Sequence, residues 1–179
     1  MKNLFFIAGV ILTLDACGGG RMAAETPMQG QPGDEAAIVH VLDDFHDAAA
    51  RADETRYFDH FASNGIFLGT DATERWNKDA FRAYAHPHFA KGKAWDMHAV
   101  RRHVTLSPAA DVAYFDEELE TKKLGPARGS GVLVRSEGRW RIAQYNLAIT
   151  VPNERFGEVK RLLDEGPETK CEPPIAPAH

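Results

Sequence analysis

The run YFDEELE, residues 114–120, places Asp116 and Glu118 on one face of an extended chain and Glu117 on the other. A carboxylate turned into an apolar interior is what proton transfer requires, because desolvation raises its pKa toward neutrality. Asp116, first in the run and next to Phe115, is the acid expected to point inward; Glu117 and Glu118 are expected to be solvated or paired. Arg102 or Arg128 on a neighbouring strand could neutralise such an acid as a structural ion pair. His98 is the alternative base. Two amides, Gln144 and Asn146, interrupt the apolar run WRIAQYNLAITV, and buried amides need hydrogen-bond partners. Strict alternation would put Trp140, Ile142, Gln144 and Asn146 on one face of that strand and Arg141, Ala143, Tyr145 and Leu147 on the other. A further candidate lies in FLGTDATERW, residues 67–76. Here Asp71 and Thr73 suit a turn, and Trp76 suits either a core plug or the wall of a pocket.

Other chemistry finds less support. The chain holds eight histidines, but no pair has the four-residue helical spacing, with a supporting glutamate, of a zinc helix. His86 and His88 stand two apart; His98 and His103 stand five apart and should face opposite sides of a strand. No metal and no cofactor are expected. The stretch GPARGSG lacks the lysine and the following helix of a phosphate loop, and no nucleophile elbow occurs. The net charge is −5 with no basic stripe, so no nucleic-acid partner is expected.

The elements that would position these residues follow from periodicity. Asp34 can cap a helix in which Ile38, Val41, Leu42, Phe45, Ala48 and Ala49 recur at helical spacing, with Asp43, Asp44 and Asp47 on the opposite, solvated side. A short helix over residues 54–61 turns Tyr57, Phe58 and Phe61 inward, and Ile66-Phe67-Leu68 forms a short strand. Asn77 or Lys78 opens a helix that Pro87 should end or kink near His86. Four strands follow at 94–107, 111–124, 127–137 and 139–151, divided by turn signals at Ser107-Pro108, Gly125-Pro126 and Glu137-Gly138. A last helix over 154–163 should pack Phe156, Val159, Leu162 and Leu163 inward. The layout is α+β: a curved antiparallel sheet of about five strands with helices on one face.

The N-terminus has a different character. One lysine precedes the apolar run Leu4–Leu14, which has the length of a signal-peptide core and is too short to span a bilayer. Leu14, Ala16 and Cys17 match a bacterial lipobox, in which Cys17 is lipidated, although Asp15 departs from the pattern. The expected division is a signal peptide over 1–16, a flexible tether over 17–33, a folded domain over 34–164 and a proline-rich tail over 165–179. The chain would then face the cell envelope, held to the membrane by lipid at Cys17. Translation from Met22 or Met28 would instead leave it in the cytoplasm. Cys171, the second of two cysteines, would have no intrachain partner.

The blocks GTDATERW, FRAYAHPHFAKG, RHVTLSPAADVAYFDEELE, RGSGVLVR and WRIAQYNLAITVPNE resemble the SnoaL-like branch of the nuclear-transport-factor-2-like superfamily over residues 35–163. The resemblance implies a cone-shaped α+β barrel with a cavity at its open end, often dimeric through the outer face of the sheet. It does not imply one reaction, since isomerases, cyclases, dehydratases and transport adaptors share the scaffold. Three readings follow. The first is a small-molecule-binding domain whose cone is lined by Trp76, Asp116, Gln144 and Asn146. The second is an acid–base enzyme acting on a carbonyl compound with Asp116 or His98 as base. The third is a homodimeric interaction module with a filled core. An open apolar cavity whose polar groups are already paired would favour binding, a desolvated Asp116 catalysis, and a plugged cone the module.

Overall fold

The structure, a computed structural model, describes residues 33–166. Cys17, the segments on either side of it and the tail with Cys171 lie outside the described residues. The chain runs α1 (Asp34–Ala50), α2 (Glu54–Asp59), β1 (Phe61–Leu68), β2 (Arg75–Asn77), α3 (Lys78–Ala90), β3 (Met97–Leu106), β4 (Val112–Thr121), β5 (Ala127–Ser136), β6 (Arg139–Ile149) and α4 (Phe156–Glu165). The six strands form one sheet in the order β2-β1-β6-β5-β4-β3. All neighbours are antiparallel except β1 and β6, which run parallel. The α+β class holds, with one strand more than expected: the three-residue β2, read from sequence as a turn.

α1 packs across the concave face against β3 and β6. Its apolar stripe is the expected one, with Ile38, Leu42, Phe45, Ala48 and Ala49 buried. Its start differs: Gly33 occupies the cap position with φ 103°, and Asp34 lies inside the helix, buried and paired with Arg135. The three aspartates are ion-paired: Asp43 with Arg102, Asp44 with Arg56, and Asp47 with Arg51 and Arg56, and Asp44 is also hydrogen-bonded with His60. Tyr57, Phe58 and Phe61 turn inward as expected. Asn77 caps α3 by accepting from Ala80 N at 2.9 Å. α3 does not end at Pro87 but continues to Ala90.

Two irregularities decide which residues face the interior. In β6, Ile142 pairs with Leu133 and Gln144 with Val132, so Ala143 is an extra residue with no partner of its own. Such a bulge reverses the alternation beyond it. Trp140, Ile142, Tyr145 and Leu147 are therefore the inward, buried residues, and Gln144 and Asn146 turn to the outer face. In β3, Val100 is the extra residue between Ala99 and Arg101. His98 and His103, expected on opposite faces, both end on the outer one, opposite Glu120 and Asp116.

Gly131 pairs with Tyr145, next to the β6 bulge. A Cβ there would lie 2.0 Å from the Gln144 carbonyl oxygen, a backbone atom that cannot swing aside. Gly131→Ala is expected to lower the free energy of unfolding by about 1–3 kcal/mol, the cost of overpacking a close approach. Urea denaturation followed by circular dichroism measures it; an unchanged midpoint would show that the strands do not approach so closely.

Candidate functional site

The interior divides into a closed polar centre and an open aromatic cavity. The centre is built on Glu117, which is 1% exposed. It shares its face of β4 with Phe115 and Leu119, both buried. Three elements converge on its carboxylate. His46 of α1 donates from Nε2 at 2.7 Å, Arg102 of β3 from Nε at 2.7 Å, and Tyr145 of β6 from its hydroxyl at 2.8 Å. Because an ionised carboxylate only accepts, Nε2 of His46 carries the proton in this arrangement. Arg102 also reaches Asp43 on α1 at 2.8 Å, so the helix is tied to the sheet through two acids and one guanidinium. Gly129 makes the arrangement sterically feasible: a Cβ there would lie 2.3 Å from the Tyr145 oxygen and 2.7 Å from Glu117.

Burial pushes the Glu117 carboxyl up, but the hydrogen bond and charge of His46, the charge of Arg102 and the Tyr145 hydroxyl outweigh it, holding it below the usual carboxylate value. Burial, then the Glu117 charge, pushes the Tyr145 phenol well up. Glu117 is thus a charged, fully coordinated group and not a poised acid.

The cavity occupies the open end of the cone, with a volume of about 600 Å³. Its walls are aromatic. Trp76 stacks on Tyr84 at 4.6 Å between ring centres and on Phe81 at 5.7 Å, and Phe67 stacks on Phe81 at 3.9 Å with 12° between the planes. Trp95, Met97, Leu124 and Leu147 add to the apolar lining, and Glu74, His88, Lys93, Asp96, Lys122 and Lys123 lie at its polar margin. Burial, then the charge of Glu74, pushes the Tyr84 phenol up. None of Glu117, His46, Arg102 and Tyr145 lines the cavity. Phe67, whose ring stacks 5.8 Å from that of Tyr145, lies between the two regions.

The segment GTDATERW is both turn and rim. Asp71 accepts from the backbone N–H and hydroxyl of Thr73 at 2.8 and 2.6 Å, closing the turn, while Gly69, Thr70, Glu74 and Trp76 face the cavity. Of the residues expected in the cone, Trp76 lies in its wall. Asp116 does not: it is exposed on the outer face opposite His103, because the residues on either side of it, Phe115 and Glu117, are the ones that point inward. His98 is exposed and pairs with Glu120 at 2.9 Å. Gln144 is exposed, and Asn146, half-buried, makes one long contact of 3.5 Å to Ser130, also on the outer face. Tyr84, His88 and Trp95 were not read as site residues, since they come from a helix and a loop with no motif. Glu117 had a legible signal in its apolar neighbours two residues away on each side. Among the described residues no group of three metal-binding side chains is clustered.

Residues 38–152 match the SnoaL-like domain family, and the chain belongs to it. No curated protein matches the sequence. Among solved structures, the chain resembles a cystatin-like protein of unknown function from Nostoc punctiforme, with 15% identity and a TM-score of 0.57, covering 69% of this chain and 96% of that one. It also resembles two proteins from Novosphingobium aromaticivorans. One, provisionally named an aromatic ring hydroxylase, has 18% identity and a TM-score of 0.58, covering 69% and 94%. The other, provisionally named a scytalone dehydratase, has 11% identity and a TM-score of 0.56, covering 66% and 85%. At these identities the likeness establishes the fold.

Since the native carboxyl of Glu117 is held below its unfolded value near 4.5, it contributes stability that is complete above that value and is lost as pH falls through the native one. The melting temperature of the wild type should therefore fall on acidification below about pH 4.5. Glu117→Gln should melt lower at neutral pH, with a shallower acid limb. A variant whose acid limb is as steep as the wild type's would show that other carboxyls govern it.

Proposed function

We propose that this domain binds a small, planar, mostly apolar molecule in the aromatic cavity. The observation that carries the reading is the set of near-parallel rings, Trp76, Tyr84, Phe81 and Phe67, around an opening of about 600 Å³. That volume is in the ordinary range of small-ligand pockets. Flat walls favour a flat ligand, because offset stacking adds to the gain from buried area. The state of the polar centre favours binding over turnover: Glu117 is sealed beneath the cavity with all its partners inside the protein, and Asp116 stands outside the cone. The provisional names of two similar structures, a ring hydroxylase and a dehydratase, are compatible with aromatic ligands.

Tethering to the envelope by lipid at Cys17 belongs to the same proposal. Its support is the apolar run Leu4–Leu14 followed by Leu14, Ala16 and Cys17.

Titration calorimetry with 1-naphthol as the probe tests the cavity. Binding is expected in the wild type, with affinity reduced about tenfold in Trp76→Ala, since one stacking contact contributes on the order of 1 kcal/mol. Gln144→Ala, on the outer face, should bind as the wild type does. Absence of heat, or equal affinity in Trp76→Ala, would overturn the assignment. Intact-mass analysis of the protein purified from its own cells reads the tether separately, as a lipid-sized addition at Cys17.

A further inference from the structure

The aromatic cavity is not electrically uniform along its length. Its rings form a row. Trp76 stacks on Tyr84 at 4.6 Å between centres, Tyr84 lies 5.8 Å from the His88 imidazole, and His88 lies 6.0 Å from Trp95. The row starts on β2, at one edge of the sheet, and ends in the loop before β3, the strand at the other edge. A flat ligand lying along it meets a different charge at each end. Glu74 stands at the β2 end, one turn of chain before Trp76. Its carboxylate accepts from the Asp71 backbone N–H at 3.2 Å and has no cationic partner among the described residues. Its charge contributes to pushing the Tyr84 phenol up. An anion beside Glu74 would be repelled, whereas a hydroxyl or an apolar edge would not.

At the Trp95 end the sign reverses. Lys93, in the loop after α3, and Lys122 and Lys123, in the turn between β4 and β5, line the cavity, with Asp96 as the one acid among them. Asp96 is already engaged: it accepts from Lys122 Nζ at 3.0 Å, which also fastens the loop to the turn. The ammonium groups of Lys93 and Lys123 make no hydrogen bond or ion pair among the described residues. The chain has 26 acidic residues against 21 basic ones, yet it supplies these two with no acid. Solvated lysines are common on any surface. These two are informative by their place, at one end of a ring-lined cavity whose other end carries an unpaired carboxylate.

We propose that the ligand is an aromatic acid bound as its anion, with its rings along the Trp76–Tyr84–His88–Trp95 row and its charged group at Lys93 and Lys123. The inference rests on the ligand-binding reading above and specifies the chemistry of that ligand. Glu74 fixes the orientation, because the reversed pose sets like charges together. Ammonium groups act as point charges and do not select a planar acceptor as a guanidinium fork does, so a carboxylate and a sulfonate fit alike. Exposed ion pairs contribute little each, so the gain from the charge is modest, about fivefold in affinity for the two lysines together.

Titration calorimetry of the full chain tests it with 1-naphthoate against 1-naphthamide, which has nearly the same outline and no charge, while 1-naphthol reports on the cavity itself. In dilute buffer the wild type should bind the naphthoate about fivefold more tightly than the amide. The ratio should approach unity in about 1 M sodium chloride, where the screening length is about 3 Å. Lys93→Gln/Lys123→Gln should abolish the preference and leave the affinity for 1-naphthol unchanged. The control Lys160→Gln/Arg161→Gln removes the same two charges from α4 and should keep the preference. None of the residues of α4 lines the cavity and none is buried, contrary to the inward packing expected from sequence. Binding of 1-naphthol with the naphthoate no tighter than the amide would overturn this inference and leave the binding reading standing. A preference that survives Lys93→Gln/Lys123→Gln would overturn the assignment to these lysines. Absence of binding by all three probes would overturn both readings.

Discussion

The architecture depends on one buried carboxylate. Glu117 lies under α1, and its donors come from α1, β3 and β6. Removing a charge from water is costly, and a buried ion pair is not in itself a source of stability. What the arrangement provides is position. Apolar contacts alone would let α1 slide along the concave face of the sheet. A carboxylate that requires donors at 2.7–2.8 Å from three elements permits one placement. Losing any one donor would leave the buried charge only partly compensated, which costs more than losing a surface pair. Gly129 belongs to the same constraint, since a methyl group at that point would occupy the space of the Tyr145 oxygen.

This centre also separates two functions that a cone can combine. With Glu117 satisfied from within, and with Phe67 between it and the opening, the deep half of the cone serves structure and the outer half is left as an aromatic cavity. Relatives with the same fold carry different names, and the fold does not choose among them. In this chain the most buried acid is engaged and the cavity walls are rings.

The sequence showed the elements more clearly than their faces. Apolar recurrence at Ile38, Leu42 and Phe45 located α1, and the turn dipeptides located the strand boundaries, because both signals are local. The faces were lost at single residues. Ala143 and Val100 are ordinary strand residues, and nothing in their type announces a bulge; the bulge follows from how neighbouring strands match, which is a tertiary property. One extra residue moved Gln144 and Asn146 from the cavity to the outside. Asp116 and Glu117 differ in another way. There the alternation Phe115, Glu117, Leu119 already identified the inward acid, and proximity to Phe115 was the wrong criterion, since adjacent residues in a strand point apart. The cavity walls on α3 and in the loop before β3 were out of reach, because Tyr84 and Trp95 meet only through the fold.

The Val100 bulge bears on a hazard shared by all open sheets. β3 is a ten-residue strand at the edge of the sheet, and a long flat edge is a template on which further strands can add without limit. The opposite edge, β2, has three residues and offers little to pair with. On β3 the bulge breaks the even spacing of backbone donors and acceptors, and His98, Arg101 and His103 crowd the same stretch with side chains that resist stacking. The irregularity that brought the two histidines to one face therefore also makes this edge a poor template for fibrous growth.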